Sequence, residues 1–373
     1  MDTIFIMICI LIMWPMLFSV PVLYGSNSSE GKVSDTLIMT SVGLFVAFIS
    51  WVIFGYLLTF NMNMSLLEGF SSYVSAMQQG DNELILDVVL QGCFFLYAAG
   101  MFIGTLIHKV DWKFFVLFIP IWLLVVYVPS AYLLWNDQGF LNRIGALDFS
   151  GGLVVHLTAG VASLILARTF TEELLEVPDR HSSMTINYIA TTLICFGWFG
   201  FNLGPLGSAG SFSGLVILNT ILAIAGGTAG FLIVQNASLI SEDILTGMMV
   251  GLVTSTALVG YASPISLFTV AVISGVITCH LRNRSLFNDP VDSFVLNGVG
   301  GIIGTVGLIL LANPIFTPNG QAGLLLGGSF SYALNQMTAI GLILVIAAIG
   351  AQISVKLTKL IYPRKKVVLY ENQ

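Results

Sequence analysis

Long apolar runs separated by short polar segments dominate the chain. Runs of about 20 apolar residues, the length that a helix needs to cross roughly 30 Å of hydrocarbon, occur eleven times. Their approximate bounds are 4–24, 36–60, 85–107, 114–135, 149–168, 186–204, 213–235, 244–261, 264–281, 290–312 and 334–361. The pattern predicts an all-α integral membrane protein with eleven transmembrane helices. The last run is long for one crossing, so its helix is expected to continue beyond the bilayer.

The first run has a cleaved signal peptide as its alternative interpretation. It carries Asp2 and has no Lys or Arg before the apolar core, whereas a signal peptide begins with a cationic region. We therefore predict a retained helix. Because the segments between runs are too short to fold separately, residues 1–373 are predicted to form one membrane domain with a short cytoplasmic tail, 363–373.

Basic residues fall almost entirely on one side of this topology. With the N-terminus outside, twelve of the thirteen Lys and Arg residues lie on the inner side and only Arg143 lies outside. Short cytoplasmic loops of membrane proteins carry such an excess. The distribution predicts a multi-pass protein of the plasma or inner membrane, with its N-terminus outside and its C-terminus in the cytoplasm.

The composition excludes several other classes of protein. Hydrophobic residues make up 56% of the chain and charged residues 9%, with a mean hydropathy of +0.94, whereas soluble proteins carry about 25% charged residues. The few charged residues are therefore expected in the loops between helices, and the net charge of −6 gives no indication of a nucleic-acid partner. None is predicted. The four cysteines lie singly in apolar runs, so neither a metal site nor a disulfide framework is supported. No catalytic constellation is present, and we predict no enzyme activity and no cofactor.

Two short segments share one arrangement: Asp148-Phe-Ser-Gly-Gly-Leu-Val-Val-His156 and Asp289-Pro-Val-Asp-Ser-Phe-Val-Leu-Asn297. In each, an acidic residue opens an apolar run and a polar side chain follows eight positions later, about 12 Å along a helix. Two such segments that enter from opposite faces would bring their polar side chains together near the midplane of the bilayer. This arrangement is typical of inverted-repeat transport proteins.

Three of these four polar residues have a structural alternative. Asp148 and Asp289 are favoured as helix caps, since Asp is common at that position and Pro290 suits the first helical position. His156 either lines a pathway, as intramembrane ionisable residues usually do, or hydrogen-bonds a neighbouring helix for packing alone. Its expected partner is Asn297, because an imidazole and an amide can satisfy each other. The glycines around both residues allow close helix approach.

Three aromatic residues form a further candidate site: Phe94, Phe201 in the segment Gly-Trp-Phe-Gly-Phe-Asn, and Trp135 at the outer end of the fourth run. A single Trp at a membrane interface is common. Together, these rings are suited to hold a small cation, with a gain of about 0.5–2 kcal/mol. They are also suited to form an apolar constriction that blocks hydrated ions.

The segments 145–156, 197–202 and 289–301 together closely resemble the Amt/Mep/Rh ammonium transporter family, and the likeness runs from about residue 5 to 360. The resemblance implies a homotrimer in the lipid bilayer, with a central pore in each subunit. It also implies a five-plus-five inverted repeat, about 4–168 and 186–312, followed by an extra long helix, about 334–361.

The resemblance further implies roles for single residues. Trp135 and Phe94 match the outer site where ammonium is recruited, and Asp148 matches the structural aspartate behind that site. Phe94 and Phe201 match the stacked gate, while His156 matches the first of two pore histidines. By implication, ammonium arrives as a cation, loses its proton or its water at the gate, and crosses an apolar pore lined by imidazole.

Three features depart from the family pattern. Asn297 stands where the second pore histidine is expected, and an amide cannot relay a proton near neutral pH. Pro205 occupies the position of the recruitment serine, which leaves Ser208 or Ser211 as substitutes. The tail after Tyr362 lacks the acidic, glycine-containing segment that receives PII-type regulators in many relatives, so a PII partner stays open.

Three functions fit these features. The first is transport of ammonium, or conduction of ammonia, with altered proton handling. The second is a non-conducting ammonium sensor or receptor of the same fold, which the changed histidine and serine positions favour. The third is a channel for another small solute, such as methylammonium, carbon dioxide or potassium.

Overall fold

A computed structural model describes residues 2–28, 30–60, 66–170, 183–284 and 289–362. This part of the chain is helical, and ten of its helices are long and apolar enough to cross a membrane. The predicted cytoplasmic tail, 363–373, lies outside the described residues. In chain order the helices are α1 Thr3–Ser26, α2 Val33–Phe60, α3 Leu66–Gln79, α4 Asn82–Leu106, α5 Trp112–Trp135 with a separate short helical turn Phe140–Arg143 after it, α6 Gly152–Thr169, α7 Met184–Leu206, α8 Ser213–Ser238, α9 Ser241–Ser255, α10 Pro264–Arg282, α11 Phe294–Leu311 and α12 Phe330–Ile361.

The eighth predicted crossing is only partly helical. The apolar run 244–261 forms α9 as far as Ser255 and then continues as turns to Tyr261. Within the turns, the backbone N–H of Leu258 donates to the carbonyl of Ser255 at 2.9 Å. Non-helical backbone is tolerated at membrane depth where it is buried in protein and hydrogen-bonded. The eleven predicted crossings therefore correspond to ten long helices and α9.

One helix, α3, was not predicted. The segment between the second and third predicted crossings contains no long apolar run, but residues Leu66–Gln79 are helical. Tyr73 anchors this helix on α2, because its hydroxyl donates to the carbonyl of Val52 at 2.8 Å and its ring stacks on Tyr56 at 6.0 Å. Polar and apolar residues are mixed along this helix, so its sequence lacks the long apolar run by which the others were found.

Both α6 and α11 begin with a π-helical turn. These turns span Gly152–Leu157 and Phe294–Val299, and they carry His156 and Asn297. A π-helical turn is wider than an α-helical one and is frequent at functional sites. The two mirrored segments of the sequence thus have the same local structure.

Glycine backbones form the closest helix contacts. A Cβ on Gly160 would overlap the backbone of Gly298, and a Cβ on Gly301 would overlap the carbonyl of Gly152. Because only glycine leaves room for this approach, α6 and α11 cross with their backbones in contact. The crossing holds the two π-helical turns beside each other.

The predicted retained helix, α1, is built into the bundle in the same way. A Cβ on Gly197 of α7 would overlap the side chain of Met16 in α1. Large apolar side chains elsewhere on α1, such as Ile4 and Leu11, are 70% and 64% exposed. A helix that packs one face on protein and turns apolar side chains outward fits a position at the lipid boundary.

Candidate functional site

His156 and Asn297 are in direct contact. The Nδ1 atom of His156 lies 3.0 Å from the Oδ1 atom of Asn297, and the two residues are 0% and 7% exposed. The side-chain amide of Asn297 also donates from Nδ2 to the Oγ of Ser293 at 3.2 Å. The sequence spacing predicted that these two side chains would meet, and the glycine crossing of α6 and α11 brings them together.

Aromatic rings enclose the imidazole. The ring of His156 stacks on Trp198, with centroids 5.6 Å apart and an angle of 8° between planes, and it meets the edge of Tyr97 at 6.0 Å. Its Nε2 atom has no hydrogen-bond partner among the described residues. An unpaired polar atom in an apolar enclosure is costly. The site can therefore offer one strong hydrogen bond to a small polar solute.

Sequence reasoning did not single out Tyr97 and Trp198. Both carried a usable signal, since Tyr97 lies three residues after Phe94 on one helix and Trp198 lies in the same motif as Phe201. Residues three apart on a helix share a face. The spacing alone predicts that Tyr97 lies about one turn after Phe94 on the same face of α4.

Phe94 and Phe201 form a pair of rings, and Phe201 lies next to the imidazole. Their centroids lie 4.5 Å apart at an interplanar angle of 61°, so the rings meet edge to face and are not stacked as the resemblance implied. Edge-to-face contact is a favourable arrangement of aromatic quadrupoles. Both rings are buried, at 2% and 0% exposure. The ring of Phe201 also lies 6.2 Å from that of His156, so this aromatic pair borders the imidazole.

Trp135 extends this series of rings outward. Its centroid lies 5.7 Å from that of Phe94, and its indole N–H donates to the backbone carbonyl of Asp148 at 3.0 Å. Beside it lies an open pocket of about 200 Å³, lined by Phe60, Trp135, Asn136, Asp137 and Gln138. The exposed carboxylate of Asp137 adds a negative charge to this pocket, which the sequence analysis did not single out.

Asp148 supports the start of α6 from a distance. The helix begins three residues later than a directly capping aspartate would require, because Gly151 adopts a left-handed conformation with φ +111°. The carboxylate Oδ2 reaches across this turn and accepts from the backbone N–H groups of Leu153 and Val154 at 3.0 and 2.9 Å. Burial raises the pKa of Asp148 to about 7, although these N–H groups act to lower it.

Asp289 performs the same task for α11. It accepts from the backbone N–H groups of Val291 and Phe294 at 3.2 and 3.3 Å. Burial raises the pKa of its carboxyl to about 6. The predicted cap is thus present, but α11 starts after an additional turn and not directly at Pro290.

An ion-pair group fixes the segment before α11. Arg282 contacts Asp243 at 2.7 Å and Asp292 at 3.4 Å. Asp292 has a φ of +49°, a conformation that non-glycine residues adopt rarely. The guanidinium therefore ties the end of α10 to the start of α9 and to the turn that leads into Asn297.

A buried polar network holds the Asp148 segment against α7. The hydroxyl of Ser150 donates to Oδ1 of Asn202 at 2.8 Å, and Nδ2 of Asn202 donates to the hydroxyl of Thr220 at 3.0 Å. The backbone N–H of Ser150 donates to the carbonyl of Thr256 at 2.7 Å. Because Asn202 follows Phe201 directly, this network fixes the position of the ring above His156.

The expected recruitment hydroxyl is not brought to the ring series. Pro205 lies exposed in the final 3₁₀ turn of α7, Gly204–Leu206, and Ser208 and Ser211 are exposed in the segment after it. None of the three lines the pocket beside Trp135. Within the described ranges, no group of three or more His, Cys, Asp or Glu side chains is placed to hold a metal ion.

A bundle of membrane-spanning helices, with a buried imidazole and amide beneath closed aromatic rings, defines a membrane transport protein for a small solute. The comparison with protein families makes this specific: the model of the Ammonium Transporter Family matches residues 4–368. The chain belongs to this family. Its members are transporters and not enzymes.

Known relatives cover most of the chain. A putative ammonium transporter of Methanothermobacter thermautotrophicus is 30% identical over 340 residues, which are 86% of this chain and 82% of that protein. An ammonium transporter of Bacillus subtilis is 28% identical over 376 residues, 97% of this chain and 93% of that protein.

Solved structures share the fold. The crystal structure of Saccharomyces cerevisiae Mep2 matches with a TM-score of 0.81 at 24% identity, over 97% of this chain and 88% of that one. A sensor Amt protein matches with a TM-score of 0.83 at 19% identity, over 96% of this chain and 93% of that one.

Proposed function

We propose that the protein carries ammonium nitrogen across the membrane along a path from Trp135, past Phe94 and Phe201, to His156 and Asn297. One observation carries this proposal. The Nε2 atom of His156 is buried beneath closed rings and has no partner among the described residues. A small solute with N–H groups fits this single hydrogen-bonding position better than a hydrated ion does.

The ring series supports recruitment of a cation at the outer end. Trp135 and Phe94 present aromatic rings beside a pocket that contains the carboxylate of Asp137. Cation–π attraction and the negative charge both favour ammonium over ammonia at this position. The closed rings below it then require the solute to lose its water or its proton.

The deeper part of the path favours the neutral species. Moving an unpaired cation into an apolar enclosure is far more costly than moving a neutral amine. His156 is enclosed by Trp198, Tyr97 and Phe201 and has no carboxylate as its hydrogen-bond partner. Ammonia can pass this point by exchanging a hydrogen bond to Nε2.

Finer features follow from the same family membership. The subunit is proposed to form a homotrimer with one pore per subunit, built from the repeats at about 4–168 and 186–312. The basic residues support an N-terminus outside and a C-terminus in the cytoplasm. A PII-type partner stays open, because the tail that would bind it lies outside the described residues.

A sensor without conduction is the second candidate. The observation that favours it is Asn297 in place of a second imidazole, since an amide does not titrate near neutral pH. In this case ammonium would bind beside Trp135, and nothing would cross below Phe201.

The test uses purified protein in proteoliposomes that contain a pH indicator. After an ammonium jump, transport gives saturable internal alkalinisation if ammonia crosses, or an inward current if charge crosses; a potassium jump serves as the control. Ammonium binding without either signal would support the sensor instead. Equal currents with potassium and ammonium would contradict both.

A further inference from the structure

The contact between His156 and Asn297 continues into two buried serines. Ser293 accepts from Nδ2 of Asn297 at 3.2 Å, and its hydroxyl oxygen lies 2.8 Å from that of Ser163. Ser163 is 0% exposed and Ser293 is 3% exposed. Ser163 lies on α6 with His156, whereas Ser293 lies one turn before Asn297. The two chain segments are therefore joined by two polar contacts, imidazole to amide and hydroxyl to hydroxyl.

The two ends of an amide are not equivalent. Its oxygen only accepts hydrogen bonds, and its nitrogen only donates them. With Nδ2 of Asn297 on the hydroxyl of Ser293, Oδ1 faces Nδ1 of His156. Nδ1 must then carry the imidazole hydrogen, because an oxygen cannot donate to it. The remaining nitrogen, Nε2, is left as an acceptor.

The opposite amide orientation would reverse this outcome. Nδ2 of Asn297 would donate to Nδ1 of His156, and the imidazole hydrogen would move to Nε2. The enclosure below Phe201 would then offer a donor to the solute. Ammonia and ammonium are rich in N–H groups, so an acceptor at Nε2 holds them and a donor does not suit ammonium at all.

We propose that Ser293, supported by Ser163, is a positioning residue that sets the amide of Asn297 and thereby the tautomer of His156. The hydrogen of Ser163 has the carbonyl of Ala159 as an acceptor at 3.0 Å, so the hydrogen of Ser293 can go to Ser163. Ser293 then offers the amide only an acceptor, and the amide oxygen is left for the imidazole. Without Ser293, neither the amide nitrogen nor the amide oxygen has a partner at this position, so the observed orientation loses its preference over the reversed one. The relevance of the tautomer to ammonium rests on the proposed function, but the tautomer itself does not.

An imidazole at position 297 would not need this hydroxyl. A ring nitrogen can either donate or accept, so it adapts to whichever hydrogen its partner carries. An amide can exchange its donor and its acceptor only if the whole carboxamide group rotates. Ser293 is therefore expected to matter with Asn297 and to be dispensable with histidine at that position.

The tautomer is measured by nitrogen NMR of the full-length protein in lipid, labelled with ¹⁵N-histidine. The His156 signal is assigned by its loss in His156→Phe. The wild type is expected to carry the hydrogen on Nδ1, and Ser293→Ala is expected to populate the Nε2 tautomer as well. Ser274→Ala is the matched control, since it removes a buried hydroxyl paired with Thr254 at 2.6 Å; it should leave the signal unchanged.

Two results would overturn the proposal. One is a wild-type His156 that carries its hydrogen on Nε2, a result that needs no variant and so cannot be confused with misfolding. The other is an unchanged tautomer in folded Ser293→Ala. Ser293→Thr keeps a hydroxyl, and it is expected to keep the wild-type tautomer.

Ammonium transport supplies a second readout. Ser293→Ala is expected to lower transport roughly fivefold with Asn297, the effect of one hydrogen bond, and to leave it unchanged in the Asn297→His background. Equal losses in both backgrounds would mean that Ser293 acts only on the fold and would overturn the proposal. A wild type that shows the expected tautomer but no transport would refute the proposed function and leave the role of Ser293 standing.

Discussion

Gly160 of α6 and Gly298 of α11 meet backbone to backbone, with no space for a Cβ between them. This contact sits one turn from His156 and next to Asn297 in the chain. It sets the separation of the two π-helical turns, and therefore the distance between the imidazole and the amide.

Gly160→Ala is predicted to disturb both folding and the pathway. The added methyl must push the α11 backbone away, with a cost of about 1–3 kcal/mol for overpacking, and it must lengthen the contact between His156 and Asn297. Thermal unfolding in detergent and transport in proteoliposomes measure the two effects. Gly341→Ala in α12 is the matched control, because nothing lies within 4 Å of its added Cβ. Equal melting temperatures for the two variants would contradict the role of this crossing.

Phe201 is predicted to maintain selectivity. It contacts Phe94, His156 and Trp198, with centroid distances of 4.5, 6.2 and 5.4 Å. Phe201→Ala removes the ring that closes the space above the imidazole, so hydrated ions are expected to enter and a potassium current is expected to appear. The large-to-small change should also lower stability by about 3–5 kcal/mol.

Phe196→Ala provides the control for this prediction. Phe196 lies on the same helix but is 53% exposed, so its loss should change neither the current nor the melting temperature greatly. A Phe201→Ala protein that folds and still excludes potassium would show that the constriction lies elsewhere.

Asp148 is predicted to make stability depend on pH. Its pKa is raised from 3.8 to about 7 by burial, so the folded protein keeps this proton to higher pH than the unfolded chain does. The resulting contribution is present in full below about pH 4 and is lost as pH rises towards 7. Relative to Asp148→Asn, which cannot titrate, the wild type should therefore lose stability between pH 4 and 7.

Asp148→Ala distinguishes the effect of the carboxylate charge on stability from the effect of the hydrogen bonds that the carboxylate accepts. It leaves the backbone N–H groups of Leu153 and Val154 without their acceptor, which should cost about 1–3 kcal/mol at every pH. Unfolding curves at pH 4.5, 6 and 7.5 for the three proteins test both effects. A constant difference between wild type and Asp148→Asn would contradict the raised pKa.

The sequence predicted the crossings well because long apolar runs have few alternatives in a helical membrane protein. It missed α3, which packs on the core through Tyr73, Val74 and Met77 and has no long apolar run. It also placed the starts of α6 and α11 too early, since the left-handed Gly151 and Asp292 depend on contacts with Asp148 and Arg282 that no local pattern shows.

The candidate site was predictable in part for the same physical reason. His156 and Asn297 stand out as isolated polar side chains in apolar runs, so their spacing alone indicated a meeting point. Ser163 and Ser293 did not stand out, because serine is common in membrane helices and hydrogen-bonds its own backbone. Only their distance in the folded chain shows that they extend the polar pair.

The central claim is that a path lined by the imidazole of His156 and the amide of Asn297 carries ammonium nitrogen across the membrane. The most direct measurement compares wild type and Asn297→His in proteoliposomes after an ammonium jump, with internal pH and current recorded together and a potassium jump as the control. The account predicts saturable ammonium transport by the wild type without a potassium current, and transport by Asn297→His with a changed dependence on pH. A silent wild type that binds ammonium, next to an active Asn297→His, would contradict the claim and identify the protein as a sensor that has lost its conduction path.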